Sequence, residues 1–142
     1  MRILNRSTPW LWLSVLALAG CEKDGCEDKI CTNEPVRPDE LLSANFQTSN
    51  SSAWDSVVVE IHSGDRVETG ALLHKETLKS GKSRSGISVG QGYYSAKATY
   101  MKTGDTLEVY DADDASWDSR TDDCDCVTGW SRNSAVLDLQ AN

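Results

Sequence analysis

The chain has 142 residues, of which 22 are acidic and 14 are basic, so its formal net charge at pH 7 is −8. This length suits one ordinary domain with a short tail and excludes a barrel-sized enzyme. The acidic balance, without a local cluster of basic residues, repels the phosphate backbone, so nucleic acid is not expected as a partner.

The first 20 residues have the layout of a secretory signal peptide. Arg2 and Arg6 give a positively charged start, residues 10–18 (WLWLSVLAL) are almost entirely apolar, and small residues precede Cys21. The apolar run is about half as long as the roughly 20 residues that a membrane-spanning helix needs. We therefore expect export and removal of residues 1–20. This segment carries two basic residues and no acidic one, so the mature charge becomes −10.

Residues 18–21 (Leu-Ala-Gly-Cys) resemble the lipobox of bacterial lipoproteins. The resemblance covers residues 1–21 and implies cleavage after Gly20, a diacylglycerol group on the Cys21 sulfur, and often a further acyl chain such as palmitate. Two or three acyl chains hold a protein on a membrane without help from basic residues. Glu22, rather than Asp, follows the cysteine, which in a two-membrane bacterium resembles cargo sent to the outer membrane. The alternative is an ordinary cleaved signal with Cys21 as a free or paired thiol.

Four cysteines remain: Cys26, Cys31, Cys124 and Cys126. An even number in an exported protein indicates two disulfides, because that compartment is oxidising. On an extended strand Cys124 and Cys126 project from the same face, so we expect both to bond to the N-terminal pair, in an order that the spacing leaves open. A four-thiolate metal site or a redox pair is the alternative, although C-x4-C and C-x-C depart from the C-x2-C spacing usual for structural zinc.

Residues 21–52 are predicted to be a lipidated tether. The segment is polar, contains Pro35 and Pro38, and is partly held by its two cysteines. A short apolar group, Leu41, Leu42 and Phe46, is expected to pack on the following domain.

Residues 53–142 are predicted to form an all-β domain. Apolar and polar residues alternate at 57–61, 94–100, 107–109 and 135–139, and glycine-containing turn signals separate these runs. Short strands at such intervals favour an antiparallel β-sandwich, immunoglobulin-like or transthyretin-like.

Three segments between the clear strands are less regular. Residues 67–78 fit either a short helix or a strand, and the β context favours a strand. Residues 80–88 (SGKSRSGIS) are predicted as a turn with basic residues. The sequence Gly-Asp at 64–65 recurs at 104–105, which predicts two similar hairpins.

Residues 111–125 contain seven aspartates and are predicted to be an acidic loop. Calcium takes several oxygen ligands on a flexible loop, so weak Ca²⁺ binding is one hypothesis for this segment. The spacing does not follow the helix-loop-helix calcium pattern, and a solvated acidic loop is the alternative. The candidate ligands are Asp111, Asp113, Asp114, Asp118 and Asp122.

Trp117 lies inside the acidic segment. An exposed indole there would be a candidate recognition residue, since it stacks on a sugar or on a partner side chain. The alternative is that Trp117 covers the end of the sandwich core, because its ring buries a large apolar area.

No catalytic residues are predicted. The chain has no Gly-x-Ser-x-Gly elbow and no glycine-rich phosphate loop, and its two histidines, His62 and His74, are not at ligand spacing. We expect a non-catalytic binding or structural module on the cell envelope, with the membrane and an envelope protein or glycan as partners. A small exported hydrolase or redox protein, or a calcium-stabilised module, are the alternatives.

Overall fold

The computed structural model describes residues 25–26, 29–49, 53–79 and 84–141. The signal peptide, Cys21 and Glu22 therefore lie outside the described residues. The described part contains strands and turns but no helix. In chain order the strands are β1 (Leu42–Thr48), β2 (Ser56–Ser63), β3 (Leu72–Lys79), β4 (Arg84–Val89), β5 (Gly92–Lys102), β6 (Asp105–Thr121), β7 (Val127–Asn133) and β8 (Ala135–Leu139).

The strands form two sheets that pack face to face. One sheet has five strands in the order β3-β2-β5-β6-β7, and the other has three in the order β4-β1-β8. Neighbours are antiparallel except β1 and β8, which are parallel. The predicted all-β sandwich is confirmed. Its finer comparison with immunoglobulin-like or transthyretin-like domains stays a prediction.

Alternating residues of both sheets form the core between them. The central alanines of β5, Ala96 and Ala98, allow close approach of the facing sheet, while Tyr100 fills the core at one end. The Tyr100 hydroxyl donates to the Leu139 carbonyl and accepts from the Ser49 amide, so its polar atom is satisfied within the core. The core also contains Leu42, Ala44, Phe46, Val57, Val59, Ile61, Leu78, Val89, Tyr94, Ala115, Ala135, Leu137 and Leu139.

The sandwich begins earlier than the sequence indicates. Strand β1 is the middle strand of its sheet and buries Leu42, Ala44 and Phe46, so the predicted boundary at residue 53 is too late. The alternation in β1 is short and follows a long polar stretch. Its role as a strand depends on β4 and β8, which lie far away in the chain.

Two further predictions are corrected. Residues 84–89, most of which were predicted as part of a turn, form β4. This segment shows little alternation of apolar and polar residues, and it is a strand because β1 pairs with it along its whole length. Residues 111–121, predicted as a loop, are the continuation of β6. The ambiguous segment 67–78 is a loop followed by strand β3. The two Gly-Asp sequences lie at the β2–β3 and β5–β6 hairpins, as predicted, but the hairpins are not similar, because residues 64–71 connect the first and residues 103–104 the second.

Strand β6 is long enough to extend beyond the sandwich. Its first part pairs with β5 as far as Ala115, which lies opposite Gly92 at the start of β5. Residues 116–121 pair with β7 instead. At about 3.4 Å per residue these six residues carry the chain roughly 20 Å past the end of β5. We call residues 116–133, the second part of β6 with its turn and β7, the arm, and the remaining sandwich the body.

Candidate functional site: the disulfide-joined arm

Two disulfides join the N-terminal segment to the tip of the arm. Cys26 bonds to Cys124 and Cys31 bonds to Cys126, with Cα–Cα distances of 5.4 Å in both pairs. The predicted cross-pairing is confirmed, and the structure decides its order. The expectation that both C-terminal cysteines lie on one extended strand is wrong, because they lie in the turn between β6 and β7.

The turn at the tip is organised by one carboxylate. Asp122 Oδ1 accepts hydrogen bonds from the backbone amides of Cys124 and Cys126 at 2.9 and 3.1 Å, and its Oδ2 accepts from Lys29 Nζ. The Lys29 ammonium, followed by the Cys124 amide, holds the pKa of Asp122 below its usual value. Asp125 adopts a left-handed backbone with φ of 62°, which completes the tight reversal. Asp122 therefore positions both C-terminal cysteines for bonding.

Residues 29–41, which we call the strap, run along β7 in the same direction as that strand. The strap is held by side-chain contacts rather than by a backbone ladder. The Val127 amide donates to Glu34 at 2.8 Å, the Trp130 indole donates to the Pro35 carbonyl at 2.8 Å, and Arg132 donates to Glu40 at 3.0 Å. The predicted tether is therefore fixed along the outer edge of β7.

The direction of the strap explains the parallel strand pair in the body. The strap leads directly into β1, and β7 leads after one residue into β8. Because the strap and β7 leave the tip side by side, β1 and β8 enter the small sheet in the same direction. The Ser43 and Ser134 hydroxyls, 2.8 Å apart, join the two chains at this entry.

The candidate calcium ligands are distributed over different parts of the fold. Asp111 and Asp113 lie on the inner side of β6 and accept hydrogen bonds from the Asp138 and Val136 amides of β8, at 2.6 and 2.8 Å. Asp114 points to the opposite face of β6, because side chains alternate along a strand.

The remaining candidates lie further along β6. Asp118 is exposed on the arm, and Asp122 is at its tip. In the described part of the chain these five carboxylates do not form a group of three or more within 4.8 Å of one another. Calcium binding stays a prediction, which thermal unfolding with calcium and with chelator would check.

One group of potential metal ligands does occur among the described residues. The Sγ atoms of Cys31 and Cys126 and a carboxylate oxygen of Glu34 lie within 4.8 Å of one another. The two sulfurs are joined in a disulfide and so are not thiolates, the form that binds metals.

Trp117 lies where the arm joins the body. Its half-buried ring packs against the core, and the Arg132 guanidinium lies 5.5 Å from the ring centroid. This placement matches the structural alternative, a tryptophan covering the end of the core, better than an exposed recognition residue.

A network of charged side chains crosses the outer face of the large sheet, and the sequence did not predict it. Glu60 pairs with Lys75 at 2.7 Å and with Lys97 at 3.2 Å, and Lys97 also approaches Glu108. The Lys75 hydrogen bond is the main cause of a lowered pKa at Glu60. The paired residues are 11 to 37 positions apart in the chain, so the sequence carries no direct signal for the network.

In the described part of the chain no helix is both long and apolar enough to cross a membrane.

Comparisons of the chain with protein-family models, with curated proteins and with solved structures found no match.

Proposed function

We propose that the protein is a lipid-anchored component of the cell envelope whose β-sandwich is a non-catalytic binding or structural module. The observation that carries the proposal is the attachment of the strap to the arm. Both disulfides connect the region next to Cys21 to the folded domain. Such bonds persist in oxidising compartments outside the cytoplasm.

The position of the first disulfide supports an anchoring role for the arm. Cys26 follows Cys21 by five residues, which span at most about 18 Å when fully extended. A lipid on Cys21 therefore places the tip of the arm close to the membrane surface. The arm then separates the body from the anchor, and Glu22 after the cysteine directs the protein to the outer membrane of a two-membrane cell.

The test is mass spectrometry of the protein purified from its native envelope. We expect a mature chain that begins at Cys21, with the mass of a diacylglycerol group on sulfur and two internal disulfides. The C21S variant should lack the lipid mass and should not accumulate as the mature membrane form. An intact Met1 end, or a mature Cys21 without lipid, would contradict the proposal.

A further inference from the structure

The end of the body from which the arm extends carries a cavity of about 770 Å³. It lies between the loop that follows β2 and the turn that connects β4 to β5. Ser63 and Asp65 contribute from the first side, and Gln91, Tyr93 and Tyr94 contribute from the second. A cavity of this volume is in the range of small-molecule sites.

The two sides of the cavity are fixed to each other. The Gly64 amide on the first side donates to the Tyr93 carbonyl on the second side at 2.8 Å. Within the second side, the Tyr94 hydroxyl donates to the Gly90 carbonyl at 2.8 Å. Gly64 and Gly92 have positive φ values of 93° and 151°, which other residues adopt only with strain. The cavity is therefore built from constrained backbone and is present before any ligand binds.

The polar groups of the cavity are hydroxyl, amide and carboxylate. The Gln91 side-chain oxygen accepts from Arg37 of the strap at 2.9 Å, which leaves the amide nitrogen as the donor end of this side chain. Asp65 and Ser63 add acceptors and a hydroxyl. Among the described residues, the one charged side chain that lines the cavity is the Asp65 carboxylate, which disfavours an anionic ligand, and the Arg37 guanidinium is bound to Gln91 at its edge.

The apolar surface of the cavity is aromatic. Tyr93 is 63% exposed, and Tyr94 is buried beside it. An exposed ring with hydrogen-bonding groups around it suits a sugar, whose C–H face stacks on the ring while its hydroxyls bind the polar groups. The described lining of this cavity contains no aliphatic side chain.

A smaller cavity of about 420 Å³ adjoins the first and shares Ser63 and Tyr94 with it. Its lining includes Leu73 and Ile87, so it offers an aliphatic surface next to the polar one. An acetamido group on a sugar has one methyl that suits such a surface and an amide that suits the polar groups beside it.

We propose that this pair of cavities binds an uncharged, N-acetylated sugar chain, with Tyr93 as the stacking platform and Gln91 and Asp65 as hydrogen-bonding residues. This names the ligand class of the binding module. It rests on the proposed function in one respect, because the envelope location is what brings the protein and the glycan together.

The experiment is calorimetric titration of the full lipidated protein, in a detergent without a sugar headgroup, with the tetramer of β-1,4-linked N-acetylglucosamine. The matched probe is the β-1,4-linked glucose tetramer, which lacks the acetamido groups. We expect the N-acetylated tetramer to bind and the glucose tetramer to bind roughly tenfold more weakly.

Three variants test the assigned residues. Y93A should weaken binding about tenfold because it removes the stacking ring, and Y93F, which keeps the ring, should stay within about twofold of the parent. Q91A should also weaken binding without affecting the core, since Gln91 is exposed. The control is Y110A, a tyrosine that is 51% exposed on the outer face of β6 and does not line either cavity.

Absence of binding by the N-acetylated tetramer to a protein with an intact β-sheet circular dichroism spectrum would overturn the proposal. Equal affinity for the two tetramers, or Y93A binding as tightly as the parent, would overturn it as well. None of these results bears on the mass of Cys21, so failure of the glycan site and failure of lipid anchoring are distinguishable.

Discussion

Asp111 and Asp113 compensate for the position of β8 at the edge of the small sheet. An edge strand presents unpaired backbone amides, which attract other strands. These two carboxylates, on the inner side of β6, accept from two amides of β8 that lie two residues apart, Val136 and Asp138. The two carboxylates and the two amides match because, along each strand, residues two positions apart face the same way. Two of the seven clustered aspartates thus connect the sheets, a role that their composition alone does not indicate.

The D113A variant should lose about 0.5–1.5 kcal/mol of unfolding free energy, because it removes the acceptor of the solvent-exposed Val136 amide. Urea unfolding measures the loss, and hydrogen exchange at the Val136 amide should become faster. The control is D114A, the next residue on the opposite face of β6, which we expect to change stability by less than about 0.5 kcal/mol. Equal losses in the two variants would show that Asp113 does not act through β8.

At the scale of elements, the arm and strap depend on the two disulfides together. The bonds join residues that are 98 and 95 positions apart in sequence. Cys26 and Cys31 are close in the sequence, and so are Cys124 and Cys126. Either disulfide alone therefore already closes the long loop through the body. The second bond then closes only a ring of nine residues, 26–31 and 124–126, which is worth much less in the chain-entropy model.

We therefore expect strongly non-additive effects on removing the disulfides. On the chain-entropy model, C26A/C124A and C31A/C126A should each cost about 2 kcal/mol of unfolding free energy, whereas removing all four cysteines should cost about 7 kcal/mol. Denaturant unfolding of the three variants and the parent measures these values. A cost for the fourfold variant equal to the sum of the two pairs would contradict this account of the loops.

At the scale of the whole molecule, the disulfides give the N-terminal segment two covalent routes to the body, and in the proposed lipid-anchored form both routes lead to the anchor. One route follows the chain through the strap into β1, and the other passes through the disulfides into the turn before β7. The chain has a formal net charge of −8 at pH 7. In the proposed anchored form, repulsion from an anionic membrane surface would favour an orientation in which the body stays away from the headgroups.

A specific-protease sequence inserted between Cys26 and Cys31 tests the two routes, and the test rests on the proposed lipid. After cleavage the body should stay with the membrane fraction and should be released only when a reductant is added. The matched control places the same sequence between Cys21 and Cys26, where cleavage alone should release the body. Release from the first variant without reductant would show that Cys26 is not bonded to the body.

Most of the clear strands were predictable, and the reasons for the failures are physical. Strands β2, β5 and β8 bury one face along their length, so their alternation is visible in the sequence. Strand β7 projects from the body with both faces partly exposed and shows no such pattern. The inner-facing aspartates of β6 favoured a loop because carboxylates need partners, and those partners belong to β8, more than 20 residues later.

The candidate sites divide in the same way. The even number of cysteines in a chain with an export signal predicted cross-pairing. The two possible orders differ only in which of Cys124 and Cys126 bonds to Cys26, and these two cysteines are so close that only the folded turn decides the order. The cavity beside Tyr93 was not predictable from the sequence. Its two sides are the loop after β2 and the turn before β5, which are distant in the chain and meet only when the sheet has formed.

The sequence alone determined the all-β class and the presence of two long-range disulfides, since each depends on periodicity or a count, while the export and lipidation of residues 1–21 stay predictions. Tertiary structure decided the early start of the sandwich, the arm with its attached strap, and the partners of the aspartates. Each of these depends on hydrogen bonds between residues far apart in the chain, whose geometry exists only once both sheets have formed.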